Sequence, residues 1–310
     1  TLTSELSTTR KVRLHARIAL ALEEIYKDRL EERAAELAEH FAEAESVLGT
    51  EKLVKYSLAA GERAVASYAW EQALTHFQRG VTAKKALAPD SDTAGLLAGL
   101  GRAQIATLEI KDGLANLRRA FDCYKQLDDV PRAIGVAVCP LPPYSGLPPG
   151  TAELAADALQ LVPADSPEAT RLLSQLGFCL YWESGDYEGA QKAFQQALSL
   201  ARRNGNRALE VQILADAAMV DMYSCRWNDG LEKSLPAIEL ADRIEDQRAS
   251  LVAHYAAACS LYVTGEPVRS KEHAVACLGP AEKLGYRDWL ARAAFANEFL
   301  ARAHGDWDVA

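Results

Sequence analysis

Nowhere does the chain carry the eighteen or so consecutive apolar residues that a membrane-spanning helix needs. No signal peptide opens it either. Basic charge is scarce: 34 Lys and Arg stand against 43 Asp and Glu, for a formal net charge of -9 and a pI near 5.3. Phosphate-rich partners need a basic face, so nucleic acid is not an expected partner of this segment. The six cysteines, Cys123, Cys139, Cys179, Cys225, Cys259 and Cys277, are widely spaced and form no C-x-x-C pair. Among mostly apolar neighbours they read as small core residues of a reduced, cytoplasmic protein. There is no G-x-x-x-x-G-K-[ST] phosphate loop, no H-E-x-x-H and no G-x-S-x-G. The histidines (His15, His40, His76, His254, His273 and His304) are scattered without a second metal-type ligand at helical spacing. No enzyme activity, cofactor or metal is therefore expected.

What the chain has in quantity is a period. Hydrophobic residues make up 49% and charged residues 25%, with proline and glycine gathered at intervals. Gly185-Asp186-Tyr187, Cys225-Arg226-Trp227, Gly265-Glu266-Pro267 and Gly305-Asp306-Trp307 fall forty residues apart. A fixed spacing of this size marks stacked supersecondary units. With Tyr187 as anchor, the same slot holds Trp227, Pro267 and Trp307 downstream, and Trp70, Ile110 and, more weakly, Pro148 upstream. The successive spacings are 40, 38, 39, 40, 40 and 40. Within one unit, Leu172, Leu173, Leu176, Leu180 and Tyr181 form a first helical stripe and Tyr187, Ala190, Phe194, Ala197 and Leu198 a second. Small residues at 190 and 197 let two helices approach while Phe194 fills the space between them.

That order of small and aromatic residues resembles a tetratricopeptide repeat. Gly177 and Phe178 sit one step off the usual first-helix order, and forty residues exceed the usual thirty-four. The expected fold is all-α: a right-handed superhelical solenoid of antiparallel helix pairs. The expected organisation is an N-terminal helical pair over 1–50 joining an upstream module, first repeats over 51–138, a proline-rich loop or hinge over 139–150, and regular repeats over 151–310 with the last one truncated. The loop CPLPPYSGLPPG holds five prolines and is not helical throughout. The chain opens on Thr1 and ends three residues after Trp307, which reads as a piece cut from a longer protein.

A solenoid presents a long curved surface and no reaction chemistry of its own. Stacking the first helices at the forty-residue period aligns Gln175, Ala215, Tyr255 and Phe295, then Cys179, Met219, Cys259 and Phe299, then Trp182, Met222, Tyr262 and Arg302. Two readings stay open for these columns: packing between adjacent repeats, or a groove for a peptide, an apolar ligand or another helix. The groove reading names Gln175, Cys179, Trp182, Asp216, Met219, Met222, Tyr255, Tyr262, Phe295 and Phe299 as binding residues. Asp221, Glu183 and Asn297 are further polar candidates. Gly61-Glu62-Arg63 reads as a solvated helix face.

The N-terminal region carries a narrower resemblance. Leu14-His15, Arg17-Ile18-Ala19, Ala21-Leu22-Glu23, Ala38-Glu39-His40-Phe41 and Gly61-Glu62-Arg63-Ala64 look like the junction of a winged-helix module with helical repeats. Such junctions occur in bacterial signal-transducing ATPases, including MalT-like LuxR-type regulators and ATPase-linked adenylyl cyclases or kinases. The resemblance covers roughly residues 5 to 80 and implies a sensor arm that receives a protein, a peptide or a small effector and controls assembly, with self-association as one output. The alternative is a free-standing adaptor that binds peptide tails.

Overall fold

A computed structural model describes residues 7–84, 89–143 and 146–304. Among the described residues the regular structure is helical, with no strand. Seventeen helices follow one another: α1 (Thr8–Ile25), α2 (Ala34–Glu43), α3 (Glu45–Leu48), α4 (Glu51–Ala66), α5 (Trp70–Ala83), α6 (Ser91–Ala106), α7 (Ile110–Gln126), α8 (Val130–Ala137) and α9 (Thr151–Leu159), then α10 (Pro167–Ser184), α11 (Tyr187–Arg203), α12 (Arg207–Tyr223), α13 (Trp227–Ile244), α14 (Gln247–Val263), α15 (Pro267–Ala276), α16 (Leu278–Leu284) and α17 (Arg287–His304). They group into two compact units, Thr1–Val136 and Ala137–Ala310. Each is a stack of antiparallel helix pairs, so the all-α solenoid fold holds within both. No helix among the described residues is long and apolar enough to cross a membrane.

The forty-residue register becomes a helix register. Trp70, Ile110, Tyr187, Trp227 and Pro267 are each the first residue of the second helix of a pair. Two residues before each anchor the backbone turns left-handed, at Tyr68, Leu108, Gly185, Cys225 and Gly265. Three of these five are not glycine, although the left-handed region disfavours a Cβ. A second left-handed turn recurs between pairs, at Asp128, Gly205, Glu245 and Gly285. Side chains at Asp186, Asn206 and Asp246 cap the helices that follow, accepting from the amides of Gly189 (2.9 Å), Leu209 (3.1 Å) and Ala249 (2.9 Å). Pro148 does not open a helix. Its neighbour Pro149 and Gly150, at φ 90°, delay α9 to Thr151. The turn Gly305-Asp306-Trp307 lies outside the described residues.

Second-helix packing follows the small-residue slots. Counted from the anchors, the slots hold Ala73, Phe77 and Gly80; Gly113, Leu117 and Ala120; Ala190, Phe194 and Ala197; Gly230, Ser234 and Ala237; and Ser270, Ala274 and Cys277. Every one is buried. In unit 1 the ring of Phe77 lies between Gly61 on α4 and Gly99 on α6, so close that a Cβ at either would run into it. Gly61 is thus buried packing; only its neighbours Glu62 and Arg63 face solvent. In unit 2 a Cβ on Gly177 would lie 2.9 Å from the Ala190 carbonyl, so the first-helix departure at Gly177 sits at a tight contact of α10 with α11. Cys139, Cys179 and Cys277 are buried, Cys123 and Cys259 half-buried, and Cys225 is exposed in its turn. Burial pushes the Cys179 thiol up to about 12, where it is inert.

Two titratable contacts tie helices together. His15 on α1 faces His40 on α2 at 2.9 Å, and His254 on α14 faces His273 on α15 at 2.8 Å, Nδ1 to Nδ1 in both pairs. One ring must donate and the other accept, so a second proton removes the bond. Burial, then the neighbouring His273, lowers His254 from 6.5 to about 4.

Three outcomes test this packing. Gly99→Ala is expected to destabilise the chain by about 1–3 kcal/mol, because the added methyl overpacks against Phe77; urea unfolding measures it. Glu245→Gly is expected to stabilise by about 0.5–1 kcal/mol, read as a higher Tm, since it relieves a left-handed non-glycine. The folded state prefers neutral His254, so its contribution is complete above pH 6.5 and is lost as pH falls toward 4. The unfolding free energy from urea titration should drop between pH 7 and pH 5 by roughly 1–2 kcal/mol, and His254→Gln should flatten that dependence.

Candidate inner-face site of unit 2

The first helices of unit 2, α10, α12, α14 and α17, pack side by side, while α11, α13 and α15 each lie against their own first helix. The columns aligned from the sequence lie on this inner layer, and their burial changes along it. Cys179, Trp182, Met219, Met222 and Tyr255 are buried. Tyr262 is 36% exposed, Phe299 44% and Phe295 63%. The gradient has a packing cause: each first helix is covered by the next pair, and no such pair follows α17 among the described residues. The exposed end is an apolar recess of about 300 Å³, lined by Met222, Trp227, Tyr255, Tyr262, Phe295 and Phe299 with almost no polar atom. Tyr262 and Phe299 meet edge to face at 5.2 Å, and Phe295 stacks on Phe299 at 6.1 Å.

The polar candidates are engaged inside the protein. Asp216 is buried and held at 2.9 Å by Arg248, which is half-buried. Burial lowers the Arg248 pKa, but Asp216 more than offsets it, so the guanidinium stays charged. Asp221 is fully buried and accepts from Tyr187 Oη (2.8 Å), Gln191 Nε2 (2.9 Å) and the Lys233 ammonium. Asn297 donates to the carbonyls of Ala274 and Ala293, both at 2.8 Å, fixing α17 on α15. Glu183 accepts from the amides of Gly150 (2.9 Å) and Ala152 (2.7 Å), at the start of α9. Gln175 donates to the Cys139 carbonyl at 3.2 Å. Gln175 and Asp216 also line a smaller polar cleft with Arg171, Gln212 and Arg248.

One group on this face escaped sequence reasoning. Arg292, one turn into α17, donates from Nε to Asp288 (2.8 Å), to the Tyr223 hydroxyl, and from Nη2 to the Pro143 carbonyl (2.5 Å). Its guanidinium also lies over the Tyr223 ring at 5.8 Å, and Tyr223 meets Trp182 edge to face at 4.8 Å. Burial acts against the Arg292 charge; hydrogen bonding to Asp288 more than offsets it and raises the pKa. The forty-residue alignment holds the signal that finds it: positions 172, 212, 252 and 292 read Leu, Gln, Val and Arg, one cation in an otherwise uncharged column.

Unit 1 carries a wider cleft of about 680 Å³ between Leu58, Glu62, Ser91, Arg102, Tyr124 and Arg132. Two of its cations have local partners: Arg102 pairs with Glu62 at 3.0 Å, and Arg132 donates to Ser91 Oγ at 2.8 Å.

No family model matches the chain, and no curated protein matches it. Among solved structures, a Rap protein complexed with Competence and Sporulation Factor is similar at a TM-score of 0.48 and 11% identity, over 96% of this chain and 98% of that one. A Signal Transduction ATPase with Numerous Domains (STAND) protein with a tetratricopeptide repeat sensor, from Pyrococcus horikoshii, reaches a TM-score of 0.48 at 16% identity. That match covers 99% of this chain and 48% of the other, so the chain spans about half of that protein's length. These likenesses assign no function to this chain.

This pair gives the site its own test. Burial raises the Asp216 pKa even beside Arg248, so Arg248→Met favours a protonated, unpartnered carboxyl and is expected to destabilise the chain by about 1–3 kcal/mol in urea unfolding. Adding Asp216→Leu should restore most of that loss, because no unsatisfied buried carboxyl then remains.

Proposed function

We propose that the chain is a non-catalytic, tetratricopeptide-like sensing and interaction arm of a multidomain bacterial regulator. In this reading the inner face of unit 2 receives a protein or peptide partner, or a small effector, and occupation of that face controls assembly of the parent protein in the cytoplasm. The observation that carries it is the recess of Tyr262, Phe295 and Phe299, three aromatic side chains left at least one-third exposed side by side. At about 25 cal/mol per Å² of apolar area, a few hundred Å² of wet ring surface represents on the order of 5 kcal/mol recovered when something covers it. The regulator context is supported by the resemblance of residues 5 to 80 to the junction that joins winged-helix modules to repeats.

Mass spectrometry of material retained by the purified chain identifies the occupant, and substitution then locates it. Met222 is buried, so charge is better introduced at the exposed positions. Tyr262→Asp with Phe295→Asp is expected to weaken the retained partner's affinity at least about tenfold while the far-UV spectrum stays native. Unchanged affinity in a folded double variant removes the recess from the binding face.

A further inference from the structure

The connection from α8 to α9 takes thirteen residues, 138–150, whereas the turns inside the neighbouring pairs take two, Gly185-Asp186 and Cys225-Arg226. Connections between helices in compact bundles ordinarily take two to eight residues. Part of this connection is packed against the protein, although Pro140, Gly146 and Pro149 are exposed. Cys139, Leu141, Pro142 and Pro143 are buried, as is Leu147. The stretch Cys139–Pro143 runs from Gln175 on α10, which donates to the Cys139 carbonyl, to Arg292 on α17, which donates to the Pro143 carbonyl. These are the first and last helices of the inner layer. Farther along, the Gly146 and Leu147 amides donate to the Trp182 carbonyl at 2.9 and 3.1 Å.

The chemistry on the two sides is complementary. Three of the five residues from Cys139 to Pro143 are prolines, so the segment brings carbonyl acceptors and few donors. The helices answer with donors, the Gln175 amide and the Arg292 guanidinium. Both contacts read main-chain oxygen, so any extended proline-bearing peptide presents the same groups. Proline also restricts the free chain, so little conformational entropy is lost on docking. Phe295 of the open recess lies three residues beyond Arg292, about one helical turn away, and can receive a neighbouring apolar side chain of the same peptide.

We propose that Cys139–Pro143 is a resident occupant of the inner face, and that the partner this face accepts is an extended, proline-containing peptide of another protein, which takes the segment's place. This rests on the reading of the inner face as the binding face. Tethering gives the resident segment an effective concentration in the millimolar range, so the intact chain is held in an occluded state that a free peptide of equal quality displaces poorly.

The test uses the full chain and a labelled synthetic peptide of residues 138–149, carrying Cys139→Ser against oxidation, with fluorescence anisotropy as the readout. Replacing Pro140, Leu141, Pro142 and Pro143 by glycine and serine at constant length should vacate the face and raise affinity for the peptide by about tenfold or more over the unaltered chain. Adding Arg292→Met to that variant should return the affinity to the unaltered level. Should the four-residue variant not fold, Pro142→Gly alone serves the same comparison. A folded loop variant that binds no more tightly than the unaltered chain, or one whose binding is indifferent to Arg292, overturns the proposal. If the peptide fails while a retained partner still depends on Tyr262 and Phe295, the inference about the resident segment falls and the binding-face reading stands.

Discussion

Close approach of paired helices is the constraint on which the rest of this chain depends. It is met by placing small side chains at two fixed steps into each second helix, as at Ala190 and Ala197 or Gly113 and Ala120, all buried. Where a large ring occupies the middle slot, the neighbouring helices give way to it. Phe77 is accommodated by glycine on both sides, at Gly61 and Gly99. Close helices leave no room for a wide turn, so the chain reverses in two residues through a left-handed position. That geometry persists even where the residue is Tyr68, Leu108 or Cys225. Tertiary packing of the pair therefore outweighs a local conformational penalty of about 1 kcal/mol per turn.

Stacking such pairs has a consequence for the inner layer. A residue on one first helix is covered by the next pair, so one column of large apolar side chains is core at α10 and α12 and becomes surface at α17. Cys179 and Met219 are packing residues; Phe299, at the same step of the repeat, is a wet aromatic ring. A single periodic sequence feature thus divides into buried and exposed positions along the stack. The charges within the layer follow a related logic. Asp216, Asp221 and Arg248 are engaged by side-chain partners within the protein, whereas Arg292 holds both an acidic neighbour and a peptide carbonyl from the connection that crosses the layer.

Much of the fold was legible in the sequence. The anchors from Trp70 to Pro267 mark helix starts to the residue, because turn and small-residue signals act over a few neighbouring positions and recur. Pro148 misled as an anchor, since two prolines and Gly150 push the helix start to Thr151. The site was legible only as a set of columns. Which members are exposed depends on contacts between residues forty or more apart in the chain. Arg292 illustrates the limit: its partner Pro143 lies 149 residues away.

By itself the sequence determined the repeat period, the all-α class, the helix starts and the lack of the familiar motifs of phosphate-loop, zinc-protease and serine-hydrolase chemistry. These follow from local composition and spacing, which bear directly on backbone conformation. Only the tertiary structure decided which aromatic residues of the inner layer reach solvent. It alone also showed that the proline-rich connection lies across that layer and that a lone cation in the 172–292 column holds it there. Burial and long-range hydrogen bonding are properties of the stacked array, and no single repeat carries them.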